Sequence, residues 1–196
     1  MKQGKNYTLA FRRKREHRTD YKARLKLLSG KKPRLVFRKT LNNINLQIVS
    51  FGAKGDLTIL SATSRELLDY GWKAHRGNSP SAYLTGLLCG LKAKKQHIKE
   101  AVLDLGLHKA IPGSSPFAAV KGILDAGIHV PHNKEALPKE EVLNGKTISA
   151  YATSLMKQDK TKYEHQFSQN IKNEVLTQDL PKHVEEVKKK ILAKWQ

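Results

Sequence analysis

Apolar residues change period twice along this chain. Between Arg34 and Thr63 they alternate with polar ones: Leu35 and Phe37 stand between Arg34, Val36 and Arg38. Ile44, Leu46 and Ile48 then stand between Asn43, Asn45 and Gln47. A period of two is that of a strand with one buried face. Leu41-Asn42 is a short turn, so Arg34–Thr40 and Asn43–Val49 pair as a hairpin. Glycines 52 and 55 turn the chain into a third strand, Leu57–Thr63. The pattern predicts an antiparallel meander, apolar on one face, with Arg34, Arg38, Asn43, Asn45 and Gln47 on a donor-rich polar face.

The period then lengthens. Ser79-Pro80 starts a helix in which Tyr83, Leu84, Leu87, Leu88 and Leu91 form an apolar stripe. Gly86 and Gly90 beside it suit close packing on the sheet. Ala101–Leu105 is a short apolar strand, Phe117–Ala126 a helix ended by Gly127, and Ile128–Val130 a further strand-like piece. Alternating strands and helices imply crossover connections. The expected fold class is α/β: a mixed sheet with an antiparallel N-terminal meander, packed by helices. Beyond Pro131, Pro138–Leu143 reads as a short helix. Ile148, Tyr151, Ala152, Leu155 and Met156 keep helical spacing, as do Leu180, Val184, Val187, Ile191 and Trp195. The last helix carries Glu185–Lys189 and Glu186–Lys190 pairs at i, i+4. These two stripes pack either on the core or on a partner protein.

Charge changes the picture most at the N-terminus. Fifteen of the first forty residues are Lys or Arg, opposed only by Glu16 and Asp20, out of a net charge of +20 for the 196-residue chain. Such a run repels itself unless a polyanion neutralises it, and each neutralised phosphate releases counterions. Tyr7, Phe11 and Tyr21 sit inside the run and offer flat faces for stacking. A short helix near Asp20–Leu28 is expected, capped by Thr19 or Asp20 and stopped by Ser29-Gly30. Three zones follow: a basic arm over 1–33, an α/β core over 34–130 and a helical C-terminal extension over 131–196. A solvated tail or an import signal is the bland alternative for the arm.

Other chemistry is thin. One cysteine, Cys89, excludes an intramolecular disulfide and a cysteine-based zinc site. It points to a reducing compartment. His129 and His132 straddle Pro131, which breaks the helix that would aim them together. The carboxylates do not pair for acid/base work, and there is no Walker-type loop, G-x-G-x-x-G or G-x-S-x-G. Pro112–Pro116 suits a phosphate at the following helix start only weakly. No enzyme, cofactor, metal or small-molecule substrate is expected. No membrane partner is expected either, because no stretch approaches about 18 uninterrupted apolar residues. No apolar segment follows the N-terminal charges as in a secretory signal. No zipper heptads or zinc-finger spacing favour DNA, and a basic arm beside a polar sheet face suits irregular RNA better. The candidate RNA contacts are Tyr7, Phe11, Arg12, Arg13, Lys14, Arg15, Arg18, Tyr21, Lys22, Arg24, Lys31, Lys32, Arg34, Arg38, Lys39, Asn43, Asn45 and Gln47.

Six ordered segments carry a resemblance. They are Phe11–Glu16 with Thr19–Tyr21 and Arg24-Leu25; Arg34–Lys39; Asn45–Val49; Tyr83–Leu88; Val102–Leu107; and Lys121–Gly127 ending in Val130-Pro131-His132. In order and spacing the chain resembles the archaeal-type large-subunit ribosomal protein that binds 5S rRNA, of the universal ribosomal protein eighteen family. The resemblance runs from the arm through Asn133 and is weaker beyond, where the length looks archaeal. It implies a non-enzymatic role: anchoring 5S rRNA in the central protuberance of cytoplasmic ribosomes. It also implies contacts to large-subunit rRNA and neighbouring ribosomal proteins. An RNA chaperone or assembly factor outside the mature particle is the alternative.

Overall fold

A computed structural model describes residues 8–173 and 175–195. The arm begins with a single helical turn, α1 (Arg12–Arg15), and continues as α2 (Tyr21–Ser29). Asp20 caps α2 through its side chain, which accepts from the Lys22 and Ala23 amides at 2.9 and 3.1 Å. Tyr7 lies outside the described residues.

The hairpin forms as the alternation requires. β1 (Arg34–Lys39) pairs antiparallel with β2 (Ile44–Gly52), which pairs antiparallel with β3 (Gly55–Thr63). β4 (Val102–Asp104) joins parallel to β1, giving the order β3-β2-β1-β4. The parallel step is the crossover expected of a mixed sheet. β2 and β3 run on to the Gly52–Gly55 turn, with a register shift between Ile48 and Val49 that leaves Ile59 of β3 unpaired. Asn43 precedes β2 in the turn, where its amide donates to Thr40 Oγ1. Ile128–Val130 is not a strand: it makes only an isolated bridge, Glu100 to His129.

Leu35, Phe37, Ile44, Leu46 and Ile48 face a core shared with α3 (Ser79–Lys95). The α3 glycines serve a different neighbour from the one the sequence suggested. A Cβ on Gly86 would collide with the Ala119 carbonyl of α4 (Ser115–Asp125), so the pair is helix on helix rather than helix on sheet.

The C-terminal zone comprises α5 (Glu140–Leu143), α6 (Lys146–Gln158), α7 (Lys160–Gln166), α8 (Ser168–Lys172) and α9 (Leu180–Trp195). Leu180, Val184, Val187 and Ile191 of α9 are buried in the same cluster as α3, so this stripe packs on the chain's own core. The expected i, i+4 pairs on α9 do not form within 4 Å. Two other lysines of this helix lie over aromatic rings: Lys188 is 5.3 Å from the Tyr83 centroid and Lys194 is 5.1 Å from that of Tyr70. The α6 stripe is only half used, since Ala152 is buried while Tyr151 and Met156 stay exposed. No helix among the described residues is long and apolar enough to cross a membrane.

Candidate nucleic-acid interface

The arm is organised by its two acids. Glu16 accepts from Arg12 Nε at 2.7 Å and lies 3.3 Å from Arg18 Nε, while Arg13 Nε donates to Thr19 Oγ1 at 2.9 Å. Two acids cannot neutralise this many cations, and Arg12, Lys14, Arg15, Arg18 and Lys22 all remain exposed. Phe11 is 71% exposed, and its ring is tilted against Tyr21 with centroids 5.1 Å apart. An aromatic pair displayed among cations suits base or ribose stacking.

The α2 helix is tied to the polar face of the sheet. Arg24 Nη2 donates to Asp56 Oδ2 at 2.8 Å. Under this tie lies Arg34, where the structure corrects the sequence reading. Arg34 is only 3% exposed, not displayed to solvent. Its Nη1 donates to Asp104 Oδ2 at 2.7 Å, and its Nη2 sits 2.8 Å from Asp56 Oδ1, close enough for charge attraction but off the hydrogen-bond axis. The partners come from β3 and β4, the strands that flank the hairpin pair. Burial alone would raise the Asp56 pKa, but the close Arg34 guanidinium and the hydrogen-bonded Arg24 outweigh it and hold it below the usual carboxylate range. Arg34 thus serves the fold.

Arg38, two residues on, behaves differently. Its side chain is 45% exposed, with Nη1 donating to the Phe37 and Asp104 carbonyls at 2.7 and 3.0 Å. The guanidinium lies flat over Gly106, whose φ is +64°, and a Cβ there would stand 3.0 Å from Nη2. Asp104 Oδ1 accepts from the Gly106 amide at 2.9 Å, which fixes this turn. Nη2 also lies 3.5 Å from Asp104 Oδ1, so Arg38 is preorganised by Asp104 while about half of its side chain stays exposed to a ligand.

These pieces enclose a cleft of about 870 Å³. Arg13, Arg18, Arg24, Lys26, Arg38 and His108 line it, between α2 and the segment from β4 to the start of α4. Its two acids are already engaged, Asp20 as the cap of α2 and Asp104 with Arg34. Cations from the arm and the sheet thus converge on one concave surface, as a phosphate backbone requires.

The remaining expected contacts divide. Asn45 and Gln47 are exposed and share the Arg38 face by register, and Lys39 is exposed at the hairpin tip. Lys31 is exposed in a left-handed conformation. Lys32 is paired with Glu100 at 2.7 Å, and the Asn43 side-chain oxygen is buried without a partner. Lys26 and His108 were absent from the expected contacts. Lys26 was legible as a cation on α2, whereas nothing in the pattern placed His108 opposite it. Among the described residues no three His, Cys, Asp or Glu side chains gather as metal ligands would. Cys89 is buried, and desolvation raises its thiol pKa to about 12, which leaves it inert as a nucleophile.

Comparison with known proteins places the whole chain in a family. A family model described as ribosomal large subunit proteins 60S L5 and 50S L18 matches residues 5–100 and 91–133. The large ribosomal subunit protein uL18 of Methanococcus maripaludis is 50% identical over 186 residues, covering 95% of this chain and 96% of the relative. The chain therefore belongs to the archaeal-type uL18 family and is a non-enzymatic structural protein of the large ribosomal subunit.

Proposed function

We propose that this protein binds 5S rRNA and anchors it in the central protuberance, with further contacts to large-subunit rRNA and neighbouring ribosomal proteins. The observation that supports this most is the cleft in which Arg13, Arg18, Arg24, Lys26 and Arg38 converge from two parts of the fold. Residues 1–33 act in this reading as the RNA-binding arm. Arg12, Arg13, Lys14, Arg15, Arg18 and Lys22 neutralise phosphates. Phe11 and Tyr21 stack on bases or riboses. Arg38 contributes a planar fork beside the amides of Asn45 and Gln47, and Lys31 and Lys39 add charge at the two ends of the strand region. Arg34 is assigned to stability.

Filter binding tests the RNA partner. 5S rRNA should bind at least tenfold tighter than an unrelated RNA of equal length at the same salt. Equal affinity for the two would reduce the arm to a non-specific polycation and overturn the reading.

A further inference from the structure

The far end of the sheet carries a second basic site. Lys39 closes β1 about 17 Å from Arg34, taking roughly 3.3 Å per residue. There the hairpin tip abuts the loop of residues 71–78. Gly77 makes the approach possible, since a Cβ at that position would stand 2.9 Å from the Leu41 carbonyl oxygen.

The loop is fixed from within. Trp72 is wholly buried and stacks on His183, with ring centroids 5.0 Å and planes 14° apart. The Lys73 amide donates to His183 Nε2 at 3.1 Å, and the Lys73 carbonyl accepts from Asn173 Nδ2 at 2.7 Å. The Gly77 amide donates to His75 Nδ1 at 3.1 Å. The side chains of Lys73 and Arg76 are thus presented on a backbone held at several points.

Between this loop and α8 lies a cleft of about 370 Å³, lined by Lys73, His75, Arg76, Gln169, Lys172 and Asn173. No Asp or Glu lines it among the described residues. Burial, and after it the charges of Lys39 and Arg76, hold the His75 pKa below the ordinary histidine value.

We propose that this cleft is a second RNA-backbone site, separate from the arm, that takes a phosphate and its ribose. Its polar lining is lysine, arginine, imidazole and carboxamide, a set that serves phosphate oxygens and the 2′-hydroxyl together. Apolar lining is confined to Leu68 and Ala74, too little to anchor a protein segment. The arm cleft is bounded by α2 and the β4–α4 segment and this one by α8 and the 71–78 loop, so they share no lining residue. The inference rests on the proposed rRNA binding.

The experiment compares three full-length proteins: wild type, Lys73→Ala/Arg76→Ala and the arm variant Arg13→Ala/Arg18→Ala. Each is titrated with 5S rRNA and with large-subunit rRNA fragments. The loop variant should bind at least one of these RNAs about tenfold more weakly, with a log–log salt slope shallower by roughly 2. Its melting curve should be unchanged. Wild-type binding of both RNAs by the loop variant, beside a weakened arm variant, would overturn the second site alone. Wild-type binding by both variants would mean that the rRNA reading itself has failed. Ultraviolet cross-linking of purified large subunits gives an independent readout. The peptide containing residues 73–76 should carry a nucleotide; attachment to a neighbouring protein alone would overturn the proposal, and this readout decides if the loop variant does not fold.

Discussion

Replacing Asp104 by alanine would strip Arg34 of its 2.7 Å ion pair while the guanidinium stays buried. At that separation the gross attraction is about 6 kcal/mol for an effective dielectric of about 20, most of it offset by desolvating both groups. What the variant exposes is the cost of a buried charge missing its partner, about 3–5 kcal/mol. Asp56 remains 2.8 Å from Arg34 Nη2, which places the expected loss at the lower end, about 3 kcal/mol. A domain of this size loses about 2–4 °C of melting temperature per kcal/mol, so thermal circular dichroism should show a drop of about 6–12 °C. Replacing both partners with apolar residues, Arg34→Met with Asp104→Leu, should recover most of that loss. A melting shift below about 2 °C would refute the argument that Arg34 is committed to the fold.

Three further outcomes follow from the same geometry. Arg38→Ala should weaken 5S rRNA binding by about 1–3 kcal/mol in a filter assay, and Arg38→Lys should recover only part, since it keeps the charge without the fork. Deleting residues 1–18 should leave the melting temperature within about 4 °C of wild type, as the arm's tie to the sheet, Arg24–Asp56, lies outside the deletion; a much earlier melt would make the arm a structural element. His183 accepts from the Lys73 amide, and its pKa is lowered by burial and by Lys190 and Lys73, with Glu186 opposing. The unfolded chain therefore binds more protons there, so the contribution is complete above about pH 6.5 and is lost as pH falls below it. His183→Gln should flatten that part of the stability–pH curve, and an unchanged curve would count against the bond.

Alternation made the sheet and its core face legible, because Leu35, Phe37, Ile44, Leu46 and Ile48 could satisfy only one side. The same pattern could not separate Arg34 from Arg38. Both sit on the polar face, and the difference is made by carboxylates 22 and 70 residues beyond Arg34, Asp56 and Asp104, which come together only through β3 and the crossover to β4. Likewise the α3 glycines announced close packing without naming α4 as the neighbour. The α7 and α8 helices carry no continuous apolar stripe and are mostly exposed, so periodicity had little to register; Asp159 caps α7 by accepting from the Thr161 and Lys162 amides. The basic arm was plain from charge, but its folding back over the sheet rests on Arg24 meeting Asp56, a contact with no local signature. His108 entered the cleft by the same long-range route.

The central claim is that the arm and its cleft hold 5S rRNA by neutralising phosphates. A salt titration of 5S rRNA affinity tests it most directly. With about 6–10 phosphates neutralised, log affinity should fall against log salt with a slope of about −4 to −9, and deleting residues 1–18 should make that slope markedly shallower. A wild-type slope shallower than about −2, or one unchanged by the deletion, would contradict the account.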